Sequence, residues 1–323
     1  MVRVSERVIT HRHRRLARRR IKQRSKFWLR DWIEAFLQAA LMVLLINQYL
    51  VQAYRIPSGS MISTLMLQDR IFVNKLSYGP ELLPGTLKLP GLDEPERAEV
   101  IVFENPDYVG RGTGFTIVQR LLYMLTFSLV DIDTIGRANP PIQLLIKRAV
   151  GDDGDTIVLD GEGNFAIRPA GLDRFLTEDE AISAMGLDYA TRRSSSQQQF
   201  AGLEFTGRSV ARFEAGLTPT PSEGRALATT AALLGDDPNN NAPAFQAALY
   251  RERHAIAPHI AEVRSDAVRY ENGWYIPDDY VFALGDNRDA SKDARFFGPV
   301  SDRAVLGRAM FIYWPIPRWS AIR

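Results

Sequence analysis

The sequence predicts a mostly β, antiparallel fold, tethered by one N-terminal transmembrane helix and interrupted by a mixed α/β insertion. Three observations carry this reading. A 20-residue apolar run follows a strongly basic tail. Short β-like runs bounded by turn residues occupy the stretches after that run and near the far end of the chain. Between them lies a segment of different character, with polar low-complexity stretches and helix-start signals.

The apolar run extends from Trp32 to Val51, broken only by Glu34, Gln38, Asn47 and Gln48. Twenty residues of helix span about 30 Å, the thickness of a bilayer core. Trp28 and Trp32 at one end, with Tyr49 and Tyr54 at the other, stand where interfacial aromatics are usual. A cleaved signal sequence wants a shorter run and a small-residue cut site. Here the chain continues with Gln52-Ala53-Tyr54-Arg55-Ile56-Pro57, so the run reads as an uncleaved anchor.

Charge sets its direction. Residues 1–30 hold twelve Lys and Arg against the single acid Glu6, leaving 28 of the 40 basic residues facing 37 of the 38 acidic ones, a net of −9. An acidic body argues against nucleic acid as a partner, although the tail alone could serve as a nucleic-acid arm. With an anchor directly behind it, the tail is expected to stay cytoplasmic, to meet anionic lipid, and to send the body across the membrane.

Beyond the anchor, β-like runs occur at Arg70–Asn74, Glu99–Phe103, Ile142–Val150, Thr156–Leu159, Trp274–Leu284 and Ala304–Trp314. Residues 171–270 read as an insertion. Thr177-Glu178-Asp179-Glu180 has capping-box spacing, Ser194–Gln199 and Asp236–Asn241 are linker-like, and Pro243–Val263 is helical with a break at Pro258. The expected organisation is a basic tail (1–31), a transmembrane helix (32–53), a β core in two parts (54–170 and 271–323) and the inserted domain (171–270). A second apolar run, Leu121–Val130, is too short to span a bilayer and is expected in the core, with a membrane-touching surface helix as the alternative.

Chemistry is narrowed first by what is missing. The sequence has no cysteine, which excludes disulfides, a thiol nucleophile and thiolate metal sites. Its four histidines fall in the tail (His11, His13) and the insertion (His254, His259), with no metal-binding spacing, so neither metal nor cofactor is expected. A hydrolase without histidine can pair a serine with a lysine base, provided that the lysine is held neutral by an apolar surround. Lys147 follows Ile142-Gln143-Leu144-Leu145-Ile146 in a run that reads as a buried strand, where it and Arg148 point to opposite faces, one buried and one solvated. From composition alone, an edge-strand lysine paired with an acid is the better reading. Pro57-Ser58-Gly59-Ser60 supplies a serine in a tight turn, or a plain linker.

Four segments in order resemble the boxes of type I signal (leader) peptidases. Pro57-Ser58-Gly59-Ser60-Met61 with Thr64-Leu65 is similar to the nucleophile box, and Asp69–Lys75 to the strand box after it. Lys147-Arg148-Ala149-Val150-Gly151 with Gly154-Asp155 resembles the lysine box, and Gly285–Gly298 the last one. Trp314-Pro315 and Arg318 are also family-like, and the match covers about residues 54–105, 145–162 and 274–318. Ser63 stands where the family has proline, Arg97-Ala98-Glu99-Val100 replaces Arg-Gly-Asp-Val, and Ala294 replaces a common serine. Segments 106–141 and 171–270 carry no family motif.

The resemblance implies a membrane-bound serine endopeptidase acting on exported preproteins whose signal peptides end in small residues at the first and third positions before the cut. It implies Ser60 as nucleophile, Lys147 as general base, and an oxyanion hole from the Ser60 N–H and the Ser58 hydroxyl. Ser291 would orient the lysine, Asp293 and Arg295 would form a supporting ion pair, and Ile56, Met61 and Leu65 would line the pocket for small side chains. Partners are preproteins and the bilayer, with the secretion machinery a further candidate. A specialised serine–lysine maturation peptidase and a catalytically idle envelope scaffold are the alternatives.

Overall fold

The computed structural model describes Trp28 and residues 30–126, 129–134, 142–159, 164–193, 197–234 and 243–323. Nearly all of the basic tail, residues 194–196 and the Asp236–Asn241 loop lie outside the described residues.

Helix α1 (Arg30–Tyr49) holds the apolar run, and Phe36, Leu37, Leu41 and Met42 on it are 58–72% exposed. It ends earlier than the span expected over 32–53. Val51–Arg55 form strand β1, because all five residues find partners in β2 (Arg70–Asn74), from Val51 opposite Asn74 to Arg55 opposite Arg70. β3 (Val100–Glu104) is buried along nearly its whole length, as a continuous apolar run inside a sheet should be. Just before it, Ala98 holds a left-handed backbone (φ 74°), where the family's glycine is the unstrained choice.

Helix α2 (Thr113–Leu125) and strand β4 (Leu144–Gly151) follow. The expectation of a core element over Leu121–Val130 is corrected here. Gln119, Arg120 and Met124 of α2 face inward, while Val118, Leu122 and Leu125 are exposed, as is Leu129 beyond it. The polar face points in because Arg120 donates to Glu81 at 2.8 Å and to Glu104 at 2.5 Å.

β5 (Thr156–Leu159), β6 (Phe165–Arg168), β7 (Leu176–Thr177) and β8 (Trp274–Tyr275) form a second, four-stranded antiparallel sheet in the order β7-β6-β5-β8. Its first two strands and its last were expected in the two parts of the main β core. They leave it because β5 pairs with both β6 and β8, and Ile157, Phe165, Ile167 and Trp274 share one apolar cluster. Five helices complete this unit: α3 (Glu178–Met185), α4 (Gln197–Glu214), α5 (Pro221–Leu234), α6 (Pro243–Ile256) and α7 (Ala261–Asn272). Thr177 and Glu180 form a reciprocal capping box at the start of α3.

The chain then returns through β9 (Tyr280–Leu284), β10 (Val300–Ser301), β11 (Val305–Trp314) and β12 (Ser320–Ala321). The main sheet runs β1-β2-β11-β3-β4-β9-β10, with β12 on β11 and every pairing antiparallel. Register shifts in β11 against β2 and β3, and in β4 against β9, interrupt the ladder; such bulges bend a sheet. Tyr54, Ile56, Met61 and Leu65 share an apolar cluster with Val102 and Ile312, so the loop after β1 is pinned to the sheet.

Candidate active site

The loop leaving β1 is held by main-chain bonds before any side chain is considered. The Ile56 N–H donates to Asp69 O, the Gln68 N–H to Ile56 O, and the Leu65 N–H to Met61 O. Met61 and Leu65 are 1% and 0% exposed, which fixes the loop's inner face. Arg318 clasps the loop from the other end of the chain, donating to both Asp69 oxygens and to Thr64 O. The last box grips the tip: the Asn287 N–H donates to Ser60 O at 3.0 Å and its Nδ2 to Gly59 O at 3.1 Å.

On that tip stands Ser60, and Lys147 Nζ donates to its Oγ at 2.6 Å. Both are buried, at 6% and 3% exposed. Burial pulls the Lys147 amine down to about 8, against Asp293 and Asp286, which raise it. An amine so placed can take the hydroxyl proton near neutral pH. Ser58 Oγ lies 3.5 Å from Ser60 Oγ and can swing toward an oxyanion beside it.

Asp293 and Arg295 form a fully buried ion pair, with Arg295 Nε donating to Asp293 Oδ1 at 2.8 Å and Nη2 to Oδ2 at 2.9 Å. Burial alone would push the Asp293 carboxyl up, but the Arg295 charge and hydrogen bonds hold it below its ordinary value. Asp293 also accepts from the Gly285 N–H at 3.0 Å. Gly285 tolerates no side chain: a Cβ there would come within 2.2 Å of Ser291 Oγ and 2.6 Å of Ser60 O. Ser291 is therefore packed against the same backbone as Ser60. Its hydroxyl is buried and among the described residues makes no hydrogen bond, while Lys147 Nζ is turned to Ser60.

A second correction concerns Arg148. It is not solvated but 0% exposed, because Asp286 receives its Nε and Nη2, Ala98 O its Nη1, and Thr64 Oγ1 also its Nη2. Sequence reasoning missed Asp286, Thr64 and Asn287 as the parts that hold the nucleophile loop against β4. The signal was present, since all three lie inside the boxes already quoted.

A cleft of about 730 Å3 opens from Ser60 and Lys147. Ile56, Met61, Tyr54, Tyr123, Leu144, Gln52, Lys75 and Arg120 line it, with Gln52 four residues from Ile56 at the opposite end of β1. Leu65 lies beneath in the core. Among the described residues, β1 pairs on one side only, and β4 is unpaired over Leu144–Lys147 on the side away from β3. Two free strand edges thus border the cleft, an arrangement that can take an extended peptide. Neither His254 nor His259 borders it.

Compared with known families, residues 29–211 and 230–314 match the model described as signal peptidase, peptidase S26. The chain belongs to the S26 signal peptidase family. Similar S26 relatives include signal peptidase I of Pseudomonas fluorescens, 26% identical over 306 residues, which covers 90% of this chain and 75% of that protein. Signal peptidase I of Haemophilus influenzae is 27% identical over 301 residues, 89% of this chain and 70% of its own. The Aquifex aeolicus protein of the same name is 27% identical over 292 residues, covering 87% and 82%. The matched range includes the apolar helix α1, both free strand edges and all four boxes, so the S26 assignment and the dyad geometry concern the same residues.

Proposed function

We propose that this chain is a membrane-bound serine endopeptidase that removes signal peptides from exported preproteins, with Ser60 as nucleophile and Lys147 as general base. The carrying observation is the 2.6 Å approach of a buried, easily deprotonated amine to a buried serine hydroxyl. The substrate enters extended between the free edges of β1 and β4, with small side chains against Ile56 and Met61.

Ser60 Oγ attacks the scissile carbonyl as Lys147 Nζ takes the hydroxyl proton. The oxyanion accepts hydrogen bonds from the Ser60 N–H and the Ser58 hydroxyl. Lys147, now an ammonium, gives its proton to the departing amine, leaving an acyl-enzyme and a neutral lysine. Lys147 then draws a proton from water as its oxygen attacks the ester, and returns that proton to Ser60 Oγ as the acid product leaves. Asp293 and Arg295 hold the Gly285 backbone between Ser60 and Ser291, and the buried Ser291 hydroxyl has bonding capacity to spare among the described residues.

We set this chemistry at the bilayer, with helix α1 as support. Its 20 residues suit the membrane's apolar thickness, and its large side chains face outward. Ser60 lies eleven residues beyond its end, on the side opposite the basic tail. Depleting the protein from cells and sequencing the N-termini of envelope proteins tests the reading. Many unrelated preproteins should stay uncut, each with small residues at the first and third positions before its site. Accumulation of a single preprotein would point instead to a specialised maturation peptidase.

A further inference from the structure

We infer that the far end of the cleft is a subsite for the fifth residue before the scissile bond, where Lys75 selects a side chain carrying a hydrogen-bond acceptor. This deepens, and rests on, the signal-peptide reading above.

Two kinds of observation place the subsite. Gln52 and Tyr54 alternate along β1, Ile56 follows one residue past its end, and all three border the cleft. A peptide running parallel to β1 has the same alternation, rising about 3.3 Å per residue. With its first residue before the cut at Ile56, its third meets Tyr54 and its fifth meets Gln52 and Lys75. The direction comes from the anchor. Helix α1 ends at Tyr49, three residues before Gln52, and the Lys75 N–H donates to Leu50 O at 2.9 Å. The far end of the cleft is thus its membrane end, where a signal peptide with its apolar core in the bilayer must enter.

Lys75 supplies the selection. It is 1% exposed yet borders the cleft, like Ser60 and Lys147 at the opposite end. Its Nζ donates to Gln52 Oε1 at 3.0 Å, and among the described residues that is its one hydrogen bond. An ammonium has three donors, so two remain unmet in a dry site. The neighbouring Arg120 has no such spare capacity toward acids, being engaged by Glu81 and Glu104. Burial, the larger influence, draws the Lys75 amine down to about 8, against Glu81, which raises it. A leucine in the fifth position would seal those donors away from water. Glutamine, serine or an acid would meet them.

The test measures kcat/KM of the detergent-solubilised full chain on preproteins differing only in the fifth residue (Gln, Glu or Leu). A further preprotein carries a bulky residue in the first position. Wild type should favour Gln and Glu over Leu by about tenfold, the size of one buried unmet donor. Lys75→Met should bring that ratio to about one, which a merely structural role for Lys75 would leave unchanged. Equal cutting of Gln and Leu preproteins by wild type overturns the inference, as does an unaltered ratio in Lys75→Met. Should Lys75→Met not fold, competition between the preproteins on wild type decides. Cutting that requires a small first residue but ignores the fifth sinks this subsite alone. Failure to cut any preprotein sinks the functional reading with it.

Discussion

Lys147 has to be neutral to accept a proton, and its burial keeps the amine near 8 rather than its ordinary 10.5. The kcat/KM for a preprotein should therefore climb as pH rises through about 8 and level off above it. A pH profile already flat between 6 and 8 would contradict a lysine base. Ala98 offers a stability test of a different kind. Its left-handed backbone should make Ala98→Gly more stable by about 1 kcal/mol in urea unfolding, since glycine relieves the strain; a loss of stability would show that the methyl is needed in packing. Residue types alone left this site open, since Lys147 also suits an edge strand and Ser60 a linker; the order and content of the four boxes made the dyad readable. The burial of Arg148 was not readable. Its partners Thr64 and Asp286 lie 84 and 138 residues away, and no local pattern says that a carboxylate will arrive beside it.

Elements whose hydrophobic pattern matches their burial can be read from the chain. β2 alternates buried and half-buried residues over the predicted Arg70–Asn74, and β5 occupies the predicted Thr156–Leu159. α2 could not be read in that way, because Arg120 is drawn inward by Glu81 and Glu104, which turns the apolar face out. The small sheet was hidden for a related reason: β8 joins β5 across more than a hundred residues, so their partnership is invisible to any local window. Helix α3 provides the test at this scale. Its capping box sits next to Glu178, which pairs with Arg288 of the last box. Thr177→Ala should cost about 1 kcal/mol in thermal or urea unfolding. Stability equal to wild type would mean that α3 is held by its packing alone.

At the scale of the whole molecule, a one-sided charge distribution meets a site just beyond the end of an apolar helix. Twelve basic residues precede the span and Arg55 alone lies close behind it, so the body should be exported and the tail retained. Protease added to spheroplasts should digest the body and spare an N-terminal tag; the reverse pattern would put Ser60 in the cytoplasm, away from translocated preproteins. The central claim is tested most directly by incubating a model preprotein with purified wild type, Ser60→Ala and Lys147→Arg. Wild type should release the mature protein at one site after a small residue. Both variants should remain folded and inert, because alanine has no nucleophile and arginine does not give up its proton to act as a base. Appreciable cleavage by folded Lys147→Arg, or by Ser60→Ala, would contradict the serine–lysine mechanism.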